Sequence, residues 1–197
     1  VTTPSTRIAA ALKDLARLAE QTTGLSDQVA AIADRYRETL RRGGRLFFAG
    51  NGGSAADAQH LATEYVVRYR ANRQALAAIA LTTDTSLLTA AANDLGFDQV
   101  FARQVEALGR KGDLLILHST SGESENLLLA AKAARAQGIE TVAFLGKGGG
   151  RLKALVDHAL VIPSAETSHV QEIHLALEHV ICELVEEGVG ERGTGKG

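Results

Sequence analysis

The chain has 197 residues, 45% of them hydrophobic, and a formal net charge of -2. That suits one domain with its own core and exerts no global pull toward nucleic acid or membrane surfaces. Cys182 is the only cysteine, which excludes an internal disulfide, and 4% aromatic content without tryptophan argues against base-stacking surfaces and broad aromatic sugar platforms. No apolar run reaches the roughly 18 residues of a membrane span and no basic-then-apolar leader is seen, so the expected compartment is the cytoplasm.

Apolar residues at helical spacing, Ile8, Leu12, Leu15 and Leu18, then Leu25, Val29, Ile32, Tyr36 and Leu40, predict two amphipathic helices. Five short apolar runs follow: Leu46 to Ala49, Leu76 to Leu81, Leu114 to Leu117, Thr141 to Leu145 and Ala159 to Ile162, with helix-length segments between them. Strands that are apolar throughout need cover on both faces. The pattern therefore predicts an α/β fold, a three-layer αβα sandwich around a five-stranded parallel sheet with right-handed crossovers. A last helix is predicted from about Glu166 to Glu187, and the Gly-rich, charged stretch Gly188 to Gly197 reads as frayed. Residues 1–190 thus read as a single domain and 191–197 as a flexible tail.

In such sheets ligands bind beyond the C-terminal strand ends, where helix N-termini present free N–H groups. After the first strand stands Gly50-Asn51-Gly52-Gly53-Ser54, whose glycines permit close backbone approach and whose Asn and Ser can hydrogen-bond a hydroxylated or anionic ligand. A dinucleotide reading wants an acidic residue about 20 residues on, and Arg68 to Arg73 holds none. After the third strand, Ser119-Thr120-Ser121-Gly122-Glu123-Ser124 places four hydroxyls directly before a helical stretch, Asn126 to Ala136. One hydroxyl is expected to cap that helix, and four exceed what capping needs, so the segment reads as a phosphate cradle. Lys147 with Gly148, Gly149 and Gly150 lacks P-loop spacing and reads as a turn.

His60 and Glu64 lie one helical turn apart and share a face, able to grip one metal or one substrate or to form a solvated ion pair. Gln171, His174, Glu178 and His179 form a polar stripe on the last helix, ordinarily its exposed face. The arginines at 35, 37, 41, 42 and 45 span a helix end where cations suit the dipole, so no nucleic-acid role is expected. Cys182 reads as core, and His118, His158 and His169 as structural, with His118 abutting the hydroxyl loop.

Taken together, Gly-Asn-Gly-Gly-Ser after a strand, the following Gln-His-x3-Glu, Asn93-Asp94, Ser-Thr-Ser-Gly-x-Ser and Gln-Glu-Ile-His resemble the SIS (sugar isomerase) domain family, over about residues 5 to 187. The closest likeness is to its branch acting on seven-carbon sugar phosphates. The resemblance implies the SIS fold with flavodoxin-like strand order and a homotetramer with active sites at subunit interfaces. It also implies interconversion of sedoheptulose 7-phosphate and D-glycero-D-manno-heptose 7-phosphate, the first step toward nucleotide-activated heptose. Carried onto this sequence, it makes Glu64 and His179 the acid/base pair and puts the substrate phosphate on Ser119, Thr120, Ser121 and Ser124. Asn51, Gly52, Gly53, Glu64, Asn93, Asp94 and Gln171 would contact the sugar, and one zinc per site would sit on His60, Glu64, Gln171 and His179. Two alternatives share the fold: a non-catalytic SIS protein resembling the DnaA-binding initiation factor, which should lack the acid/base pair, and a SIS isomerase for another phosphosugar.

The residue types suit that chemistry, because moving a carbonyl between C1 and C2 through an enediol needs one base and one acid. Geometry adds a constraint: residues 171 and 179 are eight apart, roughly 12 Å along one straight helix. Either the two reach a given pocket from different subunits, or the helix is broken between them.

Overall fold

The structure, a computed structural model, describes residues 3–190. Two helices, α1 (Pro4–Thr22) and α2 (Ser26–Arg41), precede the sheet, as the apolar spacing predicts. Thr3 caps α1, its side chain accepting from the backbone N–H of Thr6, and Pro4 begins the helix, where a missing N–H does no harm. Most of α1 is uncovered within one chain: Leu18 is buried, whereas Ile8 and Leu12 are each 63% exposed.

The sheet comprises β1 (Leu46–Gly50), β2 (Ala78–Ala80), β3 (Leu114–Ser119), β4 (Glu140–Leu145) and β5 (His158–Val161). All are parallel, in the order β2-β1-β3-β4-β5. β2 is shorter than its apolar run because it is an edge strand, with Ile79 36% exposed. The central strands β1 and β3 are buried at every position, which requires helices on both faces.

Alternation along the strands divides the core in two. Leu46, Phe48, Leu114 and Ile116 face α2, α3 (Gly53–Val66) and α7 (Thr167–Gly190). Phe47, Ala49, Leu115 and Leu117 face α5 (Ala102–Leu108) and α6 (Glu125–Ala136), with α4 (Thr85–Asp94) alongside. Burial of each such aliphatic or aromatic side chain contributes about 1.5–3 kcal/mol, so the sheet is the main source of stability.

The last helix begins near the predicted residue and continues past Glu187 to Gly190, so Gly188 to Gly190 are helical rather than frayed. The predicted flexible tail, 191–197, lies outside the described residues. No helix among those described is long and apolar enough to cross a membrane.

Candidate active site

The C-terminal ends of β1 and β3 lie side by side, Gly50 opposite His118, and each runs into one of the loops singled out by sequence. After β1, Gly52 adopts φ 57° and ψ -121°, a conformation open to glycine, and Gly53 starts α3. A Cβ on Gly53 would fall 2.7 Å from Gln171 Nε2, so Gln171 of α7 lies across the first turn of α3. Asn51 and Asn126 exchange side-chain amide hydrogen bonds of 2.9 Å in both directions, tying this loop to the first turn of α6.

Ser119 is the last residue of β3 rather than part of a loop, and it is buried. Its Oγ accepts from Gly122 N at 2.9 Å, while Ser121 Oγ accepts from Glu123 N at 3.2 Å. Ser124 holds the N-cap position of α6 without a side-chain capping bond, which corrects the expected hydroxyl cap. The loop has instead turned two of its hydroxyls on its own amides. Thr120 and Ser124, both half-buried, make no side-chain hydrogen bond among the described residues. The turn after β4 supports the loop: a Cβ on Gly122 would strike Gly149 O at 2.0 Å. Lys147 opens that turn at φ 49°, the only positive φ outside glycine among the described residues.

A second cluster joins α3 to α7. His60 and Glu64 share a face as their spacing predicts, with Nε2 and Oε1 3.5 Å apart. His179 meets them from α7, its Nε2 2.8 Å from that of His60. Tyr69 stacks on the His179 ring at 5.5 Å between centroids, the planes 16° apart. Burial, and then the charge of His60, hold His179 below the ordinary imidazole range, with Glu64 pulling the other way. A neutral imidazole at pH 7 can accept a proton or, from its N–H, help move one.

Gln171 and His179 stand on one unbroken helix, so a break between them is excluded. Within one chain Gln171 lies at Gly53 and does not join His60, Glu64 and His179. Asn93 and Asp94 are exposed at the far end of α4, where Asn93 Nδ2 donates to Asp94 Oδ1 at 2.7 Å. No hydrogen bond among the described residues brings them to either loop.

Two imidazole nitrogens and a carboxylate oxygen are donors that zinc accepts. Among the described residues, no group of three or more His, Cys, Asp or Glu side chains is already set to hold a metal ion. The two Nε2 atoms, 2.8 Å apart, would have to open to the spacing of about 3.3 Å that zinc–nitrogen bonds of about 2.0–2.1 Å impose in a tetrahedron. His60, Glu64 and His179 therefore fit in donor chemistry, and their side chains would have to move apart to take the ion. Gln171 of the same chain does not fit.

The polar stripe of α7 is not its exposed face. His174 and Glu178 are buried against the sheet, between core residues Val170, Ile173, Ile181 and Cys182. His174 donates from Nε2 to Leu145 O at 3.2 Å, and burial takes its pKa down to about 3. Glu178 pairs with His118. Burial opposes charge on His118, but the Glu178 carboxylate outweighs it and the imidazole titrates above its usual range. Cys182 is core as expected, its thiol pushed up to about 12 by burial. His158 and His169 pair with Glu140 and Glu172, and the basic cluster is likewise engaged, Arg45 with Asp113 and Arg41 with the carbonyl of Gly188.

Sequence reasoning missed Asp57, whose Oδ2 is buried without a partner and whose carboxyl is raised by burial, with His118 and His60 opposing. Its signal was available: Asp57, His60 and Glu64 continue one helical face. It also missed Tyr69, which stacks on His179, and the pair Arg73 and Glu186 at the end of α3.

The parallel sheet and the two loops at its C-terminal edge define a SIS domain. A model of that family matches residues 11–146, and the chain belongs to it. A phosphoheptose isomerase of Roseiflexus sp. (strain RS-1) is 57% identical over 158 residues, 80% of each chain. A solved phosphoheptose isomerase from Neisseria gonorrhoeae superposes with TM-score 0.90 at 40% identity, and one from Francisella tularensis with 0.92 at 32%, each match covering 94% of this chain and all of the other. Within the SIS domains, this chain is a member of the phosphoheptose isomerase family.

Proposed function

We propose that this chain is a sugar-phosphate isomerase that interconverts sedoheptulose 7-phosphate and D-glycero-D-manno-heptose 7-phosphate through an enediol, the first step toward nucleotide-activated heptose. The observation that carries this reading is the meeting of Glu64 and His179 around His60, at 3.5 Å and 2.8 Å, on the helix α3 that springs from the loop after β1. A protein that only binds a phosphosugar has no chemical need for a carboxylate and an imidazole in that arrangement.

The phosphate would rest on Thr120 and Ser124, with the N–H groups opening α6, while Ser119 and Ser121 hold the loop in shape. Asn51, Gly52, Gly53 and Gln171 would line the sugar chain. Glu64 would take the proton from the carbon beside the carbonyl and return it to the neighbouring carbon, while His179 would pass one proton from the hydroxyl oxygen to the former carbonyl oxygen, so that both groups end as they began. His60, Glu64 and His179 are the residues that would hold zinc, which when bound supplies Lewis-acid stabilisation of the developing enediolate.

The site is composite on this reading, Gln171 and His179 serving different pockets of a homotetramer in the cytoplasm. Support comes from the roughly 12 Å between them on one helix. Exposed Ile8 and Leu12 and an apolar groove of about 430 Å³, lined by residues including Val29, Ile173, Leu177 and Val180, suit burial by further copies. The decisive test incubates the protein with sedoheptulose 7-phosphate, with zinc or a chelator, beside Glu64→Gln and His179→Ala. Aldose formation by the wild type and its loss in both variants is expected. No turnover by metal-replete wild type overturns the reaction, and full activity in both variants overturns the site.

A further inference from the structure

The connection between α3 and β2, residues 67–77, carries no regular structure, yet its first half is held tightly. The holder is Glu186, buried near the end of α7. One of its oxygens accepts from Tyr69 N at 2.8 Å and Arg73 Nε at 2.9 Å, and the other from Arg70 N at 2.9 Å and Ala71 N at 2.8 Å. Arg73, also nearly solvent-free, turns its other guanidinium nitrogens on the end of α3 and, through Nη1, on Gln74 O at 3.0 Å. Its Nη2 donates to Glu64 O at 2.7 Å and its Nη1 to Tyr65 O at 2.8 Å, two carbonyls that a helix end leaves without intrahelical partners.

This one ion pair thereby touches both halves of the acid/base site. Through Arg73 it grips the backbone of Glu64. Through the N–H of Tyr69 it folds the loop so that the Tyr69 ring lies flat on the His179 imidazole. A solvated surface ion pair could do neither, because it does not hold three backbone amides and two backbone carbonyls at once.

We propose that Arg73 and Glu186 are positioning residues for Glu64 and His179, with Tyr69 as the contact that orients the His179 ring. The proposal rests on the isomerase reading above. Neither residue meets substrate. Their role is to fix the distance and angle between two groups that stand on different helices and must act on adjacent carbons of one molecule.

The test uses the full chain carrying Arg73→Lys, Glu186→Gln, Tyr69→Ala or Tyr69→Phe, assayed well below the unfolding temperature of each. Arg73→Lys, Glu186→Gln and Tyr69→Ala should lower kcat about 10- to 100-fold while KM for sedoheptulose 7-phosphate and the inhibition constant of inorganic phosphate stay within about 3-fold. Tyr69→Phe keeps the ring and should restore kcat. A second readout needs no turnover: the ring-current-shifted Cε1–H resonance of His179 should move in the first three variants and hold in Tyr69→Phe. Unchanged kcat and an unmoved resonance in folded variants overturn the proposal. If the Glu186 and Arg73 variants fail to fold, Tyr69→Ala decides alone by the same two measures. A wild type inert toward the sugar phosphate defeats the isomerase reading, and the resonance still tells whether the clamp sets the His179 ring.

Discussion

His118 Nε2 stands 2.8 Å and 2.9 Å from the two carboxylate oxygens of Glu178, and both side chains are shut off from water. Phe48 and Phe144 stack on the imidazole, and no other side chain among the described residues hydrogen-bonds either partner. Removing one member leaves a buried group uncompensated, worth about 3–5 kcal/mol, whereas replacing both by apolar residues of similar volume is commonly neutral or stabilising. His118→Leu and Glu178→Leu should each destabilise by about that amount, and the double variant should lie within about 1–2 kcal/mol of wild type. Urea unfolding at one fixed protein concentration measures all four. Additive losses in the double variant would show that the two sites are not energetically coupled.

Glu186 gives the chain an acid-labile point. Burial pulls its carboxyl up, but the N–H groups of Ala71, Arg70 and Tyr69 and the charge of Arg73 outweigh burial, and its pKa lies below the ordinary 4.5. A carboxyl depressed in the folded state contributes stability that is full above its unfolded pKa and is lost as pH falls through the folded value. Wild-type stability should therefore decline below about pH 4.5, and Glu186→Gln should be less stable at pH 7 with a flatter acid limb. Thermal unfolding from pH 7 down to pH 3 supplies the comparison. Parallel acid limbs in the two proteins would remove Glu186 as a cause.

The sheet was legible because β1 and β3 are buried on both faces and so read as unbroken apolar runs. The edge strand β2 was overestimated because Leu76 and Leu81 are apolar for other contacts: Leu76 N donates to Tyr65 O at the end of α3, and Leu81 makes only one further backbone bond to Phe48 O, beyond the strand's last paired residue. His60 and Glu64 were legible from spacing alone, since a helix fixes which residues share a face. The stripe of α7 misled for the opposite reason: His174 and Glu178 occupy core-facing positions that polarity assigns to solvent, and each is tolerated there through one hydrogen-bonding partner brought by another strand, Leu145 O and His118. Arg73 and Glu186 are 113 residues apart, and no local pattern reports such a pairing. The position of Gln171 at Gly53 is likewise a tertiary fact, though the eight-residue spacing from His179 already separated the two along the helix.

The contact between the hydroxyl loop and the turn after β4 should be the sensitive point of both. Gly122 has φ +67°, and a Cβ there would meet the Gly149 carbonyl oxygen at 2.0 Å, a backbone atom that cannot rotate away. Gly148 has φ +79° but open space around it. Gly148→Ala should therefore cost only the left-handed backbone strain, about 1–2 kcal/mol. Gly122→Ala should push the turn off the loop and weaken inorganic phosphate binding by about 10-fold or more, because the donors lose their convergence. Calorimetric titration with phosphate distinguishes them, and equal phosphate affinity in both variants would detach the turn from the binding site.

The four hydroxyls between Ser119, at the end of β3, and Ser124 are expected to divide their work. Ser119 is buried with its Oγ accepting from Gly122 N at 2.9 Å, whereas Ser124, at the N-cap of α6, has no capping bond from its side chain. Removing the first hydroxyl strands a buried amide, about 1–3 kcal/mol, so Ser119→Ala should lower stability and, by loosening the turn, phosphate affinity as well. Removing the second frees no amide, so Ser124→Ala should leave stability within about 0.5 kcal/mol while KM for the sugar phosphate rises about 10-fold, the loss of a hydrogen bond to a charged group at about 1.5–3 kcal/mol being partly made up by water. Melting temperatures and KM for the two variants, measured side by side, read the division directly. A stability loss in Ser124→Ala equal to that in Ser119→Ala would mean that Ser124 caps α6 in solution after all, and that Thr120 alone offers the ligand an uncommitted hydroxyl.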